Sequence, residues 1–419
     1  MRVEYLPRQI GVRLLGVVLI FVVVALPGRV HALNSYVLGM SAAFTGPSGG
    51  LGIELYRGSV AYFTHLNQQG GINGKPVVIT TLDDEYQPDP AIQNTIEFMK
   101  QDNIRCLFNY VGTPTVARIL PLLKGYSGYR KPLFFPFTGA EPQRQEPYSR
   151  YVFNLRASYH QELAELVSRF VQIGVKRMAV FYQADAYGRS GWDGARRALN
   201  AYGMSIVGEA TYRRGMSYEK SMQDQVAIIN RSKPDVVLSI GSYAACAAFI
   251  RDARNAGLDV PIANVSFVGS ENMLALLLQE SELSSNDYTR NLINTQVVPS
   301  YEDLSLPAVR QYRELMNVIM PAPPSDADDM YQPLKFSFTG FEGFLNAKAM
   351  SAILKRFDES PSLGLSGAAE SLKNLDLGID ATVSFGPDKH QGLNKVYFTT
   401  VKDGKFVPML EEQWQAWRK

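Results

Sequence analysis

Short apolar runs separated by stretches of helical spacing occur twice over in this chain, and they constrain its fold more than any other feature. The runs at 36–44, 77–82, 106–111 and 133–137 are β-competent, and helical spacing fills the gaps between them at 53–68, 90–100 and 115–123. Strands that are apolar throughout, rather than on alternate residues, belong in a parallel sheet covered on both faces. The rhythm restarts after residue 155. A helix at 159–173 leads into strands at 178–182, 205–212, 236–240 and 262–268, with helices at 194–202, 218–230 and 244–256 between them. The expectation is an α/β protein of two consecutive, doubly wound, Rossmann-like lobes, a division that 419 residues suit well. No short-period repeat is present, which excludes a solenoid. The tail adds a Pro-rich loop at 321–324, a long amphipathic helix at 336–357, and strands at 381–385, 395–401 and 405–410.

The first segment is of another kind. Arg2, Arg8 and Arg13 precede an apolar run at 14–26, and Val30 and Ala32 supply small residues for a cleavage site. That order reads as a secretory signal peptide over 1–32. The alternative is an uncleaved anchor, but the run is short against the ~20 residues that a bilayer requires. No cysteine follows the run to carry a lipid. Export to the periplasm is the expectation.

Residues 1–32 carry four arginines and one glutamate, so without them the formal net charge falls from +2 to −1. A near-neutral chain lacking a Lys/Arg cluster is a poor partner for nucleic acid or an anionic membrane. The two cysteines, Cys106 and Cys246, fall in different halves. An oxidising compartment would permit a disulfide, but two buried free thiols fit that separation better.

One catalytic-looking motif stands out. Residues 46–50 (GPSGG) fit G-x-S-x-G between a strand and a helix, the setting of a hydrolase nucleophile elbow at Ser48. Three points weigh against it. The motif follows the first strand, before a sheet exists to hold its partners. Only His65, His160 and His390 remain beyond the leader, and His65 falls within a helical stretch. A Gly/Pro/Ser cluster after a strand is also an ordinary turn. Neither metal-ligand spacing nor a phosphate or dinucleotide loop is present. The acidic run Asp83, Asp84 and Glu85 reads as a solvated loop rather than a calcium site. No cofactor is expected.

Several short segments carry a more specific signal. Residues 41–47 (SAAFTGP), 70–75 (GGINGK) and 83–88 (DDEYQP) occur in order. They are followed by 138–141 (TGAE), 151–159 (YVFNLRASY), 184–188 (ADAYG), 265–270 (VSFVGS), 295–299 (TQVVP) and 385–391 (FGPDKHQ). Together these resemble the leucine/isoleucine/valine-binding protein family, the type I periplasmic binding proteins of ABC importers, over essentially the whole chain beyond the leader. The resemblance implies two lobes joined by three crossing segments near 156, 299 and 387. Lobe I would comprise 33–156 and 300–387, and lobe II 157–299 and 388–419.

It also implies a ligand site between the lobes. In the family's amino-acid binders, hydroxyl and backbone donors of the first lobe hold the α-carboxylate. The matching positions are Thr113, Phe137, Thr138 and Gly139, on loops that precede helices and so turn N–H groups toward an anion. Helix capping alone would also account for the two threonines. From the second lobe the family's tyrosines match Tyr187 and Tyr243, and its acidic ammonium partner matches Glu271, with Ser270 as the alternative alignment. For the tyrosines the competing reading is surface packing, and for Glu271 a helix-start carboxylate. Tyr159 and Trp192 are weaker candidates for the cleft wall, and Leu51 stands where the leucine-type binder has an aromatic. The function implied is a solute receptor of an ABC importer, closing on an amino acid or similar small polar compound and presenting the closed form to an inner-membrane permease. A sensor that reports closure to a kinase or chemoreceptor is the second reading, and a Ser48 hydrolase a remote third.

Overall fold

The computed structural model describes Met1, Val3, residues 35–126, Gly128 and residues 131–418. The leader assigned to 1–32 lies almost wholly outside these residues. The body of the chain, Ser35–Lys419, is one compact unit.

Its first sheet is built from β1 (Tyr36–Ala42), β2 (Val77–Asp83), β3 (Ile104–Phe108), β4 (Leu133–Phe134) and β5 (Val152–Phe153). The connecting helices are α1 (Gly49–Gln68), α2 (Pro88–Lys100) and α3 (Thr113–Gly125). All pairings are parallel, in the order β2-β1-β3-β4-β5. The chain then enters α4 (Tyr159–Gln172) and a second sheet. That sheet takes β6 (Met178–Gln183), β7 (Gly208–Tyr212), β8 (Val236–Ile240), β9 (Ile262–Asn264) and β10 (Leu292–Gln296). The helices between them are α5 (Ala186–Asn200), α6 (Gln223–Arg231), α7 (Tyr243–Asn255) and α8 (Ser270–Ser284). Its parallel part runs β7-β6-β8-β9-β10, the same winding as the first sheet. The two Rossmann-like lobes read from the sequence are therefore present.

After β10 the chain returns to the first lobe. Helices α9 (Pro307–Ile319) and α10 (Phe338–Glu359) pack on α1, and α11 (Gly364–Glu370) packs on α10. A small antiparallel pair, β11 (Leu375–Asp376) with β12 (Thr382–Val383), follows. The chain crosses once more where Asn154 pairs with Gln391. It ends in β13 (Tyr397–Lys402), antiparallel to β10, then β14 (Lys405–Pro408) and α12 (Glu411–Gln415).

Burial explains why the strands read so clearly. Every residue of β1, β8, β9 and β10 is buried, as parallel strands between helices must be. Helix α5 starts at Ala186, eight residues before the expected 194. Its first turns carry Gly188 and Gly191, which blur the helical pattern, while Asp185 caps it by accepting from the amides of Tyr187 and Gly188. Strand β9 stops at Asn264 rather than 268, because Ser266–Val268 turns into a 3-10 helix. Cys106 and Cys246 are free and buried.

Helices α1 and α10 meet through glycine. A Cβ on Gly58 would lie 1.8 Å from the Gly340 carbonyl oxygen, and one on Gly343 would lie 2.1 Å from that of Leu55. The two backbones touch where any side chain would part them. Gly58→Ala is therefore expected to lower stability by about 3 kcal/mol or more in denaturant unfolding, despite alanine's better helix propensity. Gly125→Ala, with open space around it, should leave stability unchanged or slightly raised.

Candidate functional site

In open α/β sheets, ligands bind beyond the carboxyl ends of the strands, at the point where the winding reverses. Here that point lies between β1 and β3 in one sheet and between β6 and β8 in the other. The loops leaving those ends meet each other. The Gly50 amide donates to the Tyr243 hydroxyl at 3.2 Å, Gln183 Nε2 to the Tyr86 hydroxyl at 3.3 Å, and Arg214 to Gln87 at 3.0 Å. Asn272 Nδ2 reaches the Tyr331 hydroxyl at 2.9 Å. The lobes are thus closed on one another along this seam.

Six of the eight residues singled out in the sequence gather into one buried cluster. The Thr113 and Thr138 hydroxyls are 2.6 Å apart. The Tyr159 hydroxyl lies beside them, and burial raises its pKa against the opposing influence of Arg156, Thr138 and Thr113. Its ring packs against Gly139, where a Cβ would come within 2.6 Å of it, and its amide donates to the Gly139 carbonyl at 2.7 Å. The Tyr187 ring stands 5.2 Å from that of Tyr159 and 4.6 Å from Phe267, and Phe267 is 5.3 Å from Phe137. Burial pushes the Tyr187 hydroxyl well above its ordinary pKa, so it remains a donor, and it donates to the Gly241 carbonyl at 3.3 Å.

Tyr243 and Glu271 each have other neighbours. A Cβ on Gly269 would lie 2.6 Å from Leu51 and 3.5 Å from the Tyr243 ring. Glu271, in the first turn of α8, accepts at Oε2 from the Phe338 amide of the other lobe at 3.2 Å, and the Tyr301 hydroxyl lies against the carboxyl, whose Oε1 has no further hydrogen bond among the described residues. Burial raises its carboxyl to about 7. The alternative, Ser270, is held by the side chains of Asn294 and Gln296, each at 2.8 Å. The Trp192 ring lies 5.6 Å from the Arg196 guanidinium on the same helix and packs against the hydrophobic cluster that includes Tyr159 and Tyr187.

Residues that were not singled out complete the arrangement. Phe267 inserts between the rings of Phe137, Tyr86 and Tyr187. Arg156, only 1% exposed, lies over the Phe137 ring at 4.5 Å, 3.8 Å from Glu162 and 3.7 Å from Glu342. Burial opposes its charge, but Glu342 and Glu162 outweigh burial and raise its pKa, while Glu342 itself is pushed up to about 7 by burial. Tyr331 sits on a loop fastened to α1, where Glu54 accepts from its hydroxyl and from the Leu334 amide and pairs with Arg57 at 2.8 Å. Tyr86, Arg156 and Phe267 all fall inside segments that carried the family signal, although none is marked by residue type alone.

The other sequence features have structural roles. Asp83 caps the turn after β1 by accepting from the Phe44 amide. Asp84 is fully buried, accepting from Ser41 Oγ at 2.8 Å and from the Tyr86 amide at 3.0 Å. Asp84 therefore departs from the solvated loop expected, whereas Glu85 is exposed and Asp83 half-buried. Among the described residues no cluster of His, Cys, Asp or Glu could hold a metal. Ser48 is buried, and the three histidines bond elsewhere: His65 to Gln69, His160 beside Glu141 and Asp193, and His390 to the Ser149 carbonyl and Glu370. Among the described residues no helix is long and apolar enough to cross a membrane.

The sequence of residues 35–405 matches the family model of a periplasmic binding protein. The chain belongs to that family. Within it, the protein is of type I, in the leucine/isoleucine/valine-binding group. This periplasmic binding protein is similar in structure to a possible leucine/isoleucine/valine-binding protein from Rhodopirellula baltica, with 28% identity and a TM-score of 0.80 over 93% of this chain and 99% of that one. It shares its fold with a branched-chain amino acid ABC transporter protein from Thermus thermophilus with bound valine, at 17% identity and a TM-score of 0.75 over 90% and 96% of the two chains. In sequence it is 26% identical over 229 residues to an amino acid binding protein of Pseudomonas aeruginosa, an alignment spanning 54% of this chain and 59% of that protein.

The Asp84 turn should be visible in stability. Burial raises its carboxyl to about 8, against about 3.9 unfolded, so the folded state holds the proton across that window. The stabilising contribution of the neutral form is complete below pH ~4 and is lost as pH rises toward 8. Asp84→Asn should gain stability relative to the unmodified chain between pH 5 and 8 and then level off, as read by denaturant unfolding at pH 5, 7 and 9.

Proposed function

We propose that this protein is the periplasmic solute receptor of an ABC importer, taking an amino acid or a similar small polar solute into the interlobe cleft and closing on it. On this reading, lobe I spans 33–156 and 300–387 and lobe II 157–299 and 388–419. The observation that carries the proposal is the pairing of unlike groups across one seam. Thr113, at the start of α3, and Thr138, whose hydroxyl lies 2.6 Å from it, suit a carboxylate, and the buried Glu271, whose Oε1 meets only the Tyr301 hydroxyl among the described residues, suits an ammonium. Tyr159, Tyr187 and Tyr243 supply ring walls and hydroxyls between them. The names of the Pseudomonas, Rhodopirellula and Thermus proteins support an amino acid. A Thermomonospora curvata protein of the same fold is described as a fatty acid ABC transporter substrate-binding protein, so the fold alone does not select the guest.

A ligand that touches both lobes binds the closed form better and shifts the population toward it. The closed surface is then what an inner-membrane permease would recognise. The chemistry described for the seam is binding chemistry: no histidine among the described residues is placed to activate Ser48.

Calorimetric titration with an amino-acid panel tests the proposal. Binding of at least one zwitterion is expected, and binding confined to uncharged or purely anionic solutes would refute it. Glu271→Gln should weaken the zwitterion by about 10- to 100-fold, the loss expected for a charge-assisted contact. An ammonium favours the charged carboxylate, so affinity should be greatest above pH 7. It should fall by up to about tenfold per unit as pH drops below that value, and Glu271→Gln should flatten that dependence.

A further inference from the structure

Away from the cleft, the two crossing segments around Asn154 and Gln391 run side by side. The Asn154 amide donates to the His390 carbonyl at 2.7 Å, and the Gly392 amide to the Asn154 carbonyl at 2.9 Å. A cavity of about 410 Å³ opens against this seam, within the ~300–1,000 Å³ range of small-molecule sites. Its basic members are Arg144, Arg150, Lys389 and His390, and its acidic ones Glu146 and Asp388. Glu146 is already engaged, by Ser149 at 3.3 Å and Arg150 at 3.5 Å.

Two observations single this cavity out. Asn154, a lining residue only 1% exposed, has neither side-chain amide atom hydrogen-bonded among the described residues. Buried amides left in that state are costly and call for a partner. Arg144, the second, carries five N–H donors. Nε goes to the Ala140 carbonyl at 3.1 Å, Nη1 to Gln391 Oε1 at 2.6 Å and Nη2 to the Thr138 carbonyl at 3.3 Å. Two donors remain on this half-buried guanidinium, whose pKa burial lowers to about 10.

The geometry points to a second binding site at this seam for a small organic anion, held by Arg144, Arg150 and Lys389 with Asn154 reading a neighbouring hydroxyl or carboxyl group. The site stands on both crossing segments, so its occupant feels the angle between the lobes. Arg144 ties it to the cleft, because the same guanidinium holds the backbone of Thr138. The site's existence does not depend on the identity of the cleft ligand.

Isothermal titration of the full chain with citrate and with inorganic phosphate tests this, using two variants. Arg150→Ala/Lys389→Ala removes two exposed cations of the cavity, and Thr113→Val alters the cleft alone. Saturable binding of either probe is expected, weakened at least tenfold in the double variant and unchanged in Thr113→Val. Silence with both probes, undiminished binding by the double variant, or loss in Thr113→Val would overturn the proposal. Circular dichroism of each variant establishes that the fold is kept.

Discussion

Arg156 sets the terms for how the halves of this molecule meet. A guanidinium withdrawn from water is tolerated only with opposite charge and hydrogen-bond acceptors close by. Its partners come from different places: Glu342 from α10 on the first lobe, Glu162 and Ser266 from the second. Glu162 is in turn held by the Ser266 amide at 2.8 Å and by the Thr295 hydroxyl. Moving one lobe against the other would strand charge on either side, so the node favours a narrow set of relative positions at the base of the cleft.

Above that base the contacts become softer. Phe267 reaches from one sheet into rings of both lobes, and single hydrogen bonds such as Gly50 to Tyr243 and Asn272 to Tyr331 cross the seam. Contacts of that kind contribute about 1 kcal/mol each, so on the proposed reading they could be exchanged for contacts to a guest.

The alternating architecture was legible because parallel strands buried on both faces leave continuous apolar runs, as at 36–42 and 236–240. Strand β10 was not, because Asn294, Thr295 and Gln296 make its end polar, although all three are buried and bonded to neighbouring side chains. Among the candidate site residues, those with obvious chemistry could be proposed from the sequence: Thr138, Tyr187 and Glu271. Arg156 and Phe267 could not, since an arginine after a strand or a phenylalanine in a turn carries no mark of long-range partners. Asp84 misled for the same reason, because its burial is decided by Ser41, 43 residues away.

The repeated winding of the two sheets has one further consequence. Each lobe offers its own reversal point, so on the proposed reading a guest would be read by both together, in two half-sites of like construction. Selectivity in such a device is a product of two separate judgements. The loops of one half can change what is admitted without disturbing what the other half demands.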